Sequence, residues 1–223
     1  MIPHKEHLLS MLALQDSLNR KVNPDWITAG YPWMRAIAVE GVEALEHVGW
    51  KWWKAPPATN ADQVKLELVD IWHFVLSHML VCTQGSCDLA AEILAEYLVD
   101  MNFEDKHKDL VGAATVQDLF EMIVASASGP KQFNGAAFVC LLERFGMNWE
   151  DVYKMYVGKN VLNMFRQDNG YKDGTYIKVW FGREDNEVLA GIMDANPNAA
   201  PADLLAALEI TYREVIPQFV QPA

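Results

Sequence analysis

An all-α fold is what this sequence predicts: a helical bundle core that carries paired acidic helices, with no significant sheet. Three observations carry that expectation. Apolar residues recur at intervals of three and four through stretch after stretch, no stretch sustains period-two alternation, and Pro, Gly and Asn collect between the periodic stretches rather than inside them.

The first helix runs from about His4 to Asn19 on Leu8, Leu9, Met11, Leu12, Leu14 and Leu18. Gln15 and Asn19 are four apart and share a face, and amides read base edges because each carries donors and acceptors. The alternative is a solvated helix end with Asn19 as its cap. After a loop over Asn23 to Pro32, a second helix follows from Trp33 to His47. Gly49-Trp50-Lys51-Trp52-Trp53-Lys54 comes next, closed by Ala55-Pro56-Pro57. Its indoles can wall a base pocket and its lysines can reach phosphate, while at least one ring belongs to the core.

Asn60 or Asp62 caps a third helix to Cys82, the longest and most apolar. Asp88 caps a fourth to Met101, with Glu92, Glu96 and Asp100 on one face. Phe103 to Ala114 reads as a polar connection and Thr115 to Ser126 as a short helix. Ser126 to Pro130 is a break, Phe133 to Phe145 a helix stopped by Gly146, and Asn148 caps another that runs toward Phe165. Glu184 to Ala195 and Pro201 to Val215 are terminal helices, the last ended by Pro217. We read residues 1–223 as one domain, with a rigid core over about 1–100 and 133–215 and a mobile helical region over about 102–130.

Two acidic pairs stand out, Glu40 with Glu43 and Glu67 with Asp70. Residues three apart share a helix face, so two such helices packed together collect four carboxylates. Like charges that close raise one another's pKa, and divalent cations between them remove the conflict. Oxygen ligands without a nearby cysteine point to magnesium, with manganese as a substitute. Ile37, Val39, Val42 and Leu45 around the first pair, and Leu66, Leu68, Val69, Ile71, Trp72 and Phe74 around the second, suggest helices buried nearly all round. The competing reading is structural, with Arg35 and Lys65 as salt-bridge partners.

The net charge of −12 argues against nucleic acid and anionic membrane as partners, yet Lys159 to Arg183 carries a local +3 that leaves −15 for the remainder. One basic strip and one carboxylate cluster suit a polyanion that brings metal ions, such as a nucleoside triphosphate. The whole strip, Gly158 to Asn186, is rich in Asn, Gly, Lys and Arg. Gly170 and Gly174 would let backbone approach a ligand, and the strip is expected to order around phosphates rather than by its own packing. Three cysteines, Cys82, Cys87 and Cys140, fit a reducing compartment as packing residues. The apolar run Ile71 to Cys82 is too short to span a bilayer and the N-terminus has no signal-peptide pattern, so a cytoplasmic protein is expected, in host cytoplasm if phage-encoded.

Glu40-x-x-Glu43 followed by Glu67-x-x-Asp70 resembles the metal signature of the all-α nucleoside triphosphate pyrophosphohydrolases, the MazG-like superfamily. Leu14-Gln15-x-x-Leu18-Asn19, the Trp-Lys-Trp-Trp-Lys segment and the 158–186 strip are similar, more narrowly, to the dimeric all-α dUTPases. The resemblance implies a homodimer that hydrolyses dUTP, and dUDP as well, to dUMP by attack at the β-phosphorus, with Glu40, Glu43, Glu67 and Asp70 as magnesium ligands. It further implies Gln15, Asn19 and Asn163 on the uracil and sugar, Trp52 as pocket wall, and Lys159, Arg166, Tyr171, Lys172 and Lys178 around the phosphates. Two other readings stand beside it: a pyrophosphohydrolase that prefers dCTP or takes several nucleotides, and a catalytically silent all-α dimer that binds nucleotide or protein.

Overall fold

A computed structural model describes residues 3–53, 55, 58–103, 109 and 112–219. Helices α1 (Lys5–Val22), α2 (Trp33–Val48), α3 (Ala61–Cys82) and α4 (Cys87–Phe103) are followed by α5 (Val116–Ser128), α6 (Gly135–Arg144) and α7 (Trp149–Asp168). After a two-stranded ladder of β1 (Val179–Trp180) and β2 (Arg183–Glu184) come α8 (Asp185–Ala195) and α9 (Pro201–Phe219). The expected all-α class is what the chain adopts. Among the described residues no single helix is long and apolar enough to cross a membrane.

Local chemistry sets most boundaries. The Asn60 side chain accepts from the Gln63 N–H at the start of α3, and Thr115 with Asp118 and Asn148 with Asp151 form reciprocal capping boxes at α5 and α7. Five boundaries differ from expectation; α1 runs through Val22, so Asn19 is a buried residue within it and Asn23 follows its end. Ser86 rather than Asp88 caps α4, its hydroxyl accepting from the Leu89 N–H at 3.3 Å. Helix α6 starts at Gly135, because Asn134 accepts from the Ala137 N–H. Helix α7 continues through Asp168, so the first part of the basic strip is helical. Helix α9 runs past Pro217 to Phe219; a proline in the last turn removes only one backbone donor. The expected proline stop at Pro56-Pro57 and the polar link over 104–108 lie outside the described residues, as do Lys54 and the side chain of Asp100.

The core is centred on α3, whose Trp72 stacks on Phe138 at 5.6 Å and packs against Trp149 at 5.1 Å. On α2 only Met34, Ile37, Gly41, Ala44 and Val48 are buried. Val39 and Val42 are 47% exposed, so α2 is not apolar-buried all round as its composition suggested; it keeps one face open. At Gly41 a Cβ would lie 2.9 Å from a Val124 methyl, which marks a close approach of α2 and α5. Leu119, Phe120, Ile123 and Ala127 of α5 are buried in the same core.

A second apolar cluster explains why the strip is ordered by packing, contrary to expectation. Phe165, Trp180 and Tyr212 meet at 5.1–5.9 Å, with Tyr176 stacked on Tyr212 and Leu208 and Val215 of α9 beneath. The strip's few apolar residues are aromatic, and the C-terminal helices supply the remainder. The small β1–β2 ladder, absent from the sequence reading, turns through Phe181 and Gly182 at φ 51° and 80°, the left-handed pair that fits strand twist. Gly170, at φ 85°, is a turn glycine; a Cβ there would sit 2.0 Å from the Thr175 hydroxyl, so it faces its own loop.

Candidate active site

The contact of α2 with α3 brings Glu40, Glu67 and Asp70 together, with one carboxylate oxygen of each within 4.8 Å of the others. Glu67 is 8% exposed. Burial first, then repulsion from Asp70 and Glu67, pushes the Glu40 carboxyl well above the usual range; burial and then Asp70 push Glu67 up too. The hydrogen bond between the two acts in opposite directions, raising Glu40 and lowering Glu67. Glu43 is exposed and lies outside this trio, although its charge contributes to raising both. Three close oxygen donors, and a fourth carboxylate nearby, fit a hard divalent cation.

Two nitrogen side chains of the protein already face the cluster. Lys159, 2% exposed, places its Nζ 2.7 Å from Asp70 Oδ2, and His47 Nε2 lies 3.4 Å from Glu67 Oε1. The expected partners are elsewhere: Arg35 is exposed, and Lys65 reaches Asp62 at 4.0 Å. Lys159 also donates to Asn186 Oδ1 at 3.0 Å.

A cleft of about 470 Å³ opens on this cluster and joins it to the predicted readers. Glu40, Asp70 and Lys159 line it together with Gln15, Asn19, Asn163, Arg166 and Tyr171. Trp52 does not; it is 86% exposed, against Trp53 at 5.7 Å. The aromatic wall is Trp26, Tyr31, Trp33 and Phe74, edge-on or tilted to one another at 5.7–6.2 Å. Lys172 and Lys178 are also outside the cleft: Lys172 Nζ donates to Val22 O at 2.8 Å, closing the strip onto α1, and Lys178 pairs with Glu184 across the ladder at 3.1 Å. A larger cleft of about 540 Å³, bordered by Tyr153, Met193 and Leu204, holds none of the acid trio.

Behind the cleft runs a buried polar chain. Tyr156 donates to Gln15 Oε1 at 2.8 Å, His73 Nδ1 meets the same oxygen at 2.7 Å, Gln15 Nε2 donates to Asn19 Oδ1 at 3.0 Å, and Asn19 Nδ2 donates to Ser77 Oγ at 2.9 Å. Burial lowers His73 to about 3, so the ring is neutral. On the opposite side Arg166 donates from Nε and Nη2 to both oxygens of the fully buried Asp185, at 2.8 and 2.7 Å, and Tyr176 donates to the same carboxylate at 2.7 Å. The remaining Arg166 donors reach Asn163 Oδ1 at 2.9 Å and Asn186 Oδ1 at 3.1 Å.

Sequence reasoning missed His73, Phe74, Trp33 and Asp185. The first two continue the face of Glu67 and Asp70 at i+3 and i+4, and Trp33 lies two turns before Glu40 on the same face of α2, signals that were present; Asp185 reaches the site only through tertiary packing. Among protein families, the model described as dUTPase matches residues 7–171, a span that holds both acidic pairs and every residue that lines the cleft beside them. No curated protein matches the chain.

Proposed function

The chain belongs to the dUTPase family, and on that premise we propose that it hydrolyses dUTP to dUMP with release of pyrophosphate, and dUDP with release of phosphate, using magnesium held by Glu40, Glu43, Glu67 and Asp70. The observation that carries the reading is a single cleft lined both by Glu40 and Asp70 of the acid cluster and by the amides Gln15, Asn19 and Asn163.

A divalent cation at the trio supplies charge neutralisation for the phosphates and acidity for a coordinated water. The side chains of the chain do the rest. One carboxylate accepts the proton of the attacking water as the bond to the β-phosphorus forms and the bridging oxygen leaves with dUMP. Lys159, seated between Asp70 and Asn186, stands beside the path of the phosphates. Gln15, Asn19 and Asn163 orient the nucleoside, and Trp33 and Phe74, rather than Trp52, offer faces for the base.

A homodimer is proposed from the family resemblance, and the exposed Val39, Val42, Trp50, Trp52 and Trp53 beside α2 support it. Product release from dUTP, dUDP, dCTP, dTTP and UTP with magnesium and with EDTA tests the activity. Magnesium-dependent turnover of dUTP and dUDP is expected; absence of dUTP turnover overturns it, and sedimentation as a monomer overturns the dimer.

A further inference from the structure

We infer that Arg166, held by Asp185, fixes which end of the Asn163 amide faces the cleft, and that this sets a preference for a base with an oxygen at position 4, uracil, over one with an amine there, cytosine. The inference rests on the proposed dUTP hydrolysis.

A primary amide carries a donor at one end and an acceptor at the other, so an unrestrained Asn or Gln suits either base by turning over. The Gln15–Asn19 chain retains that freedom. Ser77 donates to His73 O at 3.0 Å, but turning its hydroxyl toward Asn19 reverses the whole relay. Tyr156 then donates only to Met11 O, 2.9 Å away, and neutral His73 takes its other tautomer. Every link of the reversed chain is still made, and its one cost is a proton on the buried His73 Nε2, which has no partner among the described residues in either state.

Asn163 has no such freedom. Its oxygen accepts from Arg166 Nη1, and a guanidinium carries only donors and retains its charge. Turning the amide over would set N–H against N–H. Arg166 cannot move aside, because both oxygens of the buried Asp185 hold it and Tyr176 braces that carboxylate. The end of Asn163 left for the cleft is Nδ2, which takes no partner among the described residues. A donor there complements O4 of uracil and faces the 4-amino group of cytosine, another donor. Asp185 and Arg166 are thus positioning residues for base choice, whatever Arg166 also contributes to phosphate binding.

The test is the ratio of kcat/KM for dUTP to kcat/KM for dCTP, measured with magnesium. The two substrates share deoxyribose and triphosphate, so losses in phosphate or metal contact cancel. Asn163→Asp turns an acceptor toward the base and is expected to lower the ratio about ten- to a hundredfold, and Asn163→Ala, which only deletes the donor, lowers it less. Arg166→Gln introduces an acceptor that lets the amide turn, and lowers the ratio as well; Arg166→Lys, which still has only donors, retains most of it. Thermal melts identify which variants fold, and any folded Asn163 variant decides the matter. A wild-type preference for dUTP that persists unchanged in Asn163→Asp or Asn163→Ala overturns the inference while leaving dUTP hydrolysis standing, and equal wild-type turnover of dUTP and dCTP overturns it too. A wild-type protein that hydrolyses neither nucleotide fails at the earlier step.

Discussion

Glu40 and Glu67 hold protons over a pH range in which an exposed carboxylate has already lost them, and this governs how the site takes up a cation. A folded-state pKa raised above the unfolded value, near 4.3 for Glu, means that the native state binds more protons across the intervening window, so stability falls as pH rises through it. A divalent cation displaces those protons. Binding of Mn2+ should therefore release protons and tighten between about pH 6 and about pH 8, which calorimetry in buffers of different ionisation enthalpy will show. Glu67→Gln keeps the size of the side chain but removes a ligand charge, and turnover should fall by at least about a hundredfold with the fold intact by circular dichroism. Asp185 has the opposite sign. Burial alone would raise it, but the hydrogen bonds and charge of Arg166 hold it below the usual range, so its stabilisation is present above about pH 4 and is lost as pH falls through the folded value.

Helix α2 presents two faces with different tasks, and both were partly readable. Its buried positions, Met34, Ile37, Gly41, Ala44 and Val48, follow the three-four spacing that predicts a helix. What composition could not disclose is that Val39 and Val42 point outward, because the apolar residues of a short helix do not say which of them a neighbour covers. Gly41 is where α5 comes closest, and Gly41→Val should cost about 1–3 kcal/mol in chemical denaturation by forcing Val124 aside. A variant as stable as wild type would mean that α2 and α5 separate more easily than their packing implies. Caps were legible one residue at a time: Asn60 and Asn148 were visible, Thr115 reads as part of the helix it caps, and Ser86 was hidden by the acidic residue two positions later, since both are good caps and only the backbone decides between them.

Across the whole molecule, the acid cluster was legible from spacing, and the basic strip from composition, but not the means by which the strip is held. Aromatics scattered over Phe165, Tyr176, Trp180 and Tyr212 have no period that reveals a shared cluster, and the partner of Arg166, Asp185, lies 19 residues away. Removing that partner leaves a buried guanidinium unpaired, so Asp185→Ala should destabilise the protein by about 3–5 kcal/mol, while Asp185→Asn, which retains one acceptor, should cost less. Lys159 closes the cluster at the other end of the same network. Seated on Asp70, its ammonium is a resident counter-ion, a place-holder that neutralises one anion before any external ion arrives. Folding therefore need not wait for metal: the order of assembly is chain first, cation second, and protein stripped by a chelator should still melt in one cooperative transition, which added Mn2+ moves to higher temperature.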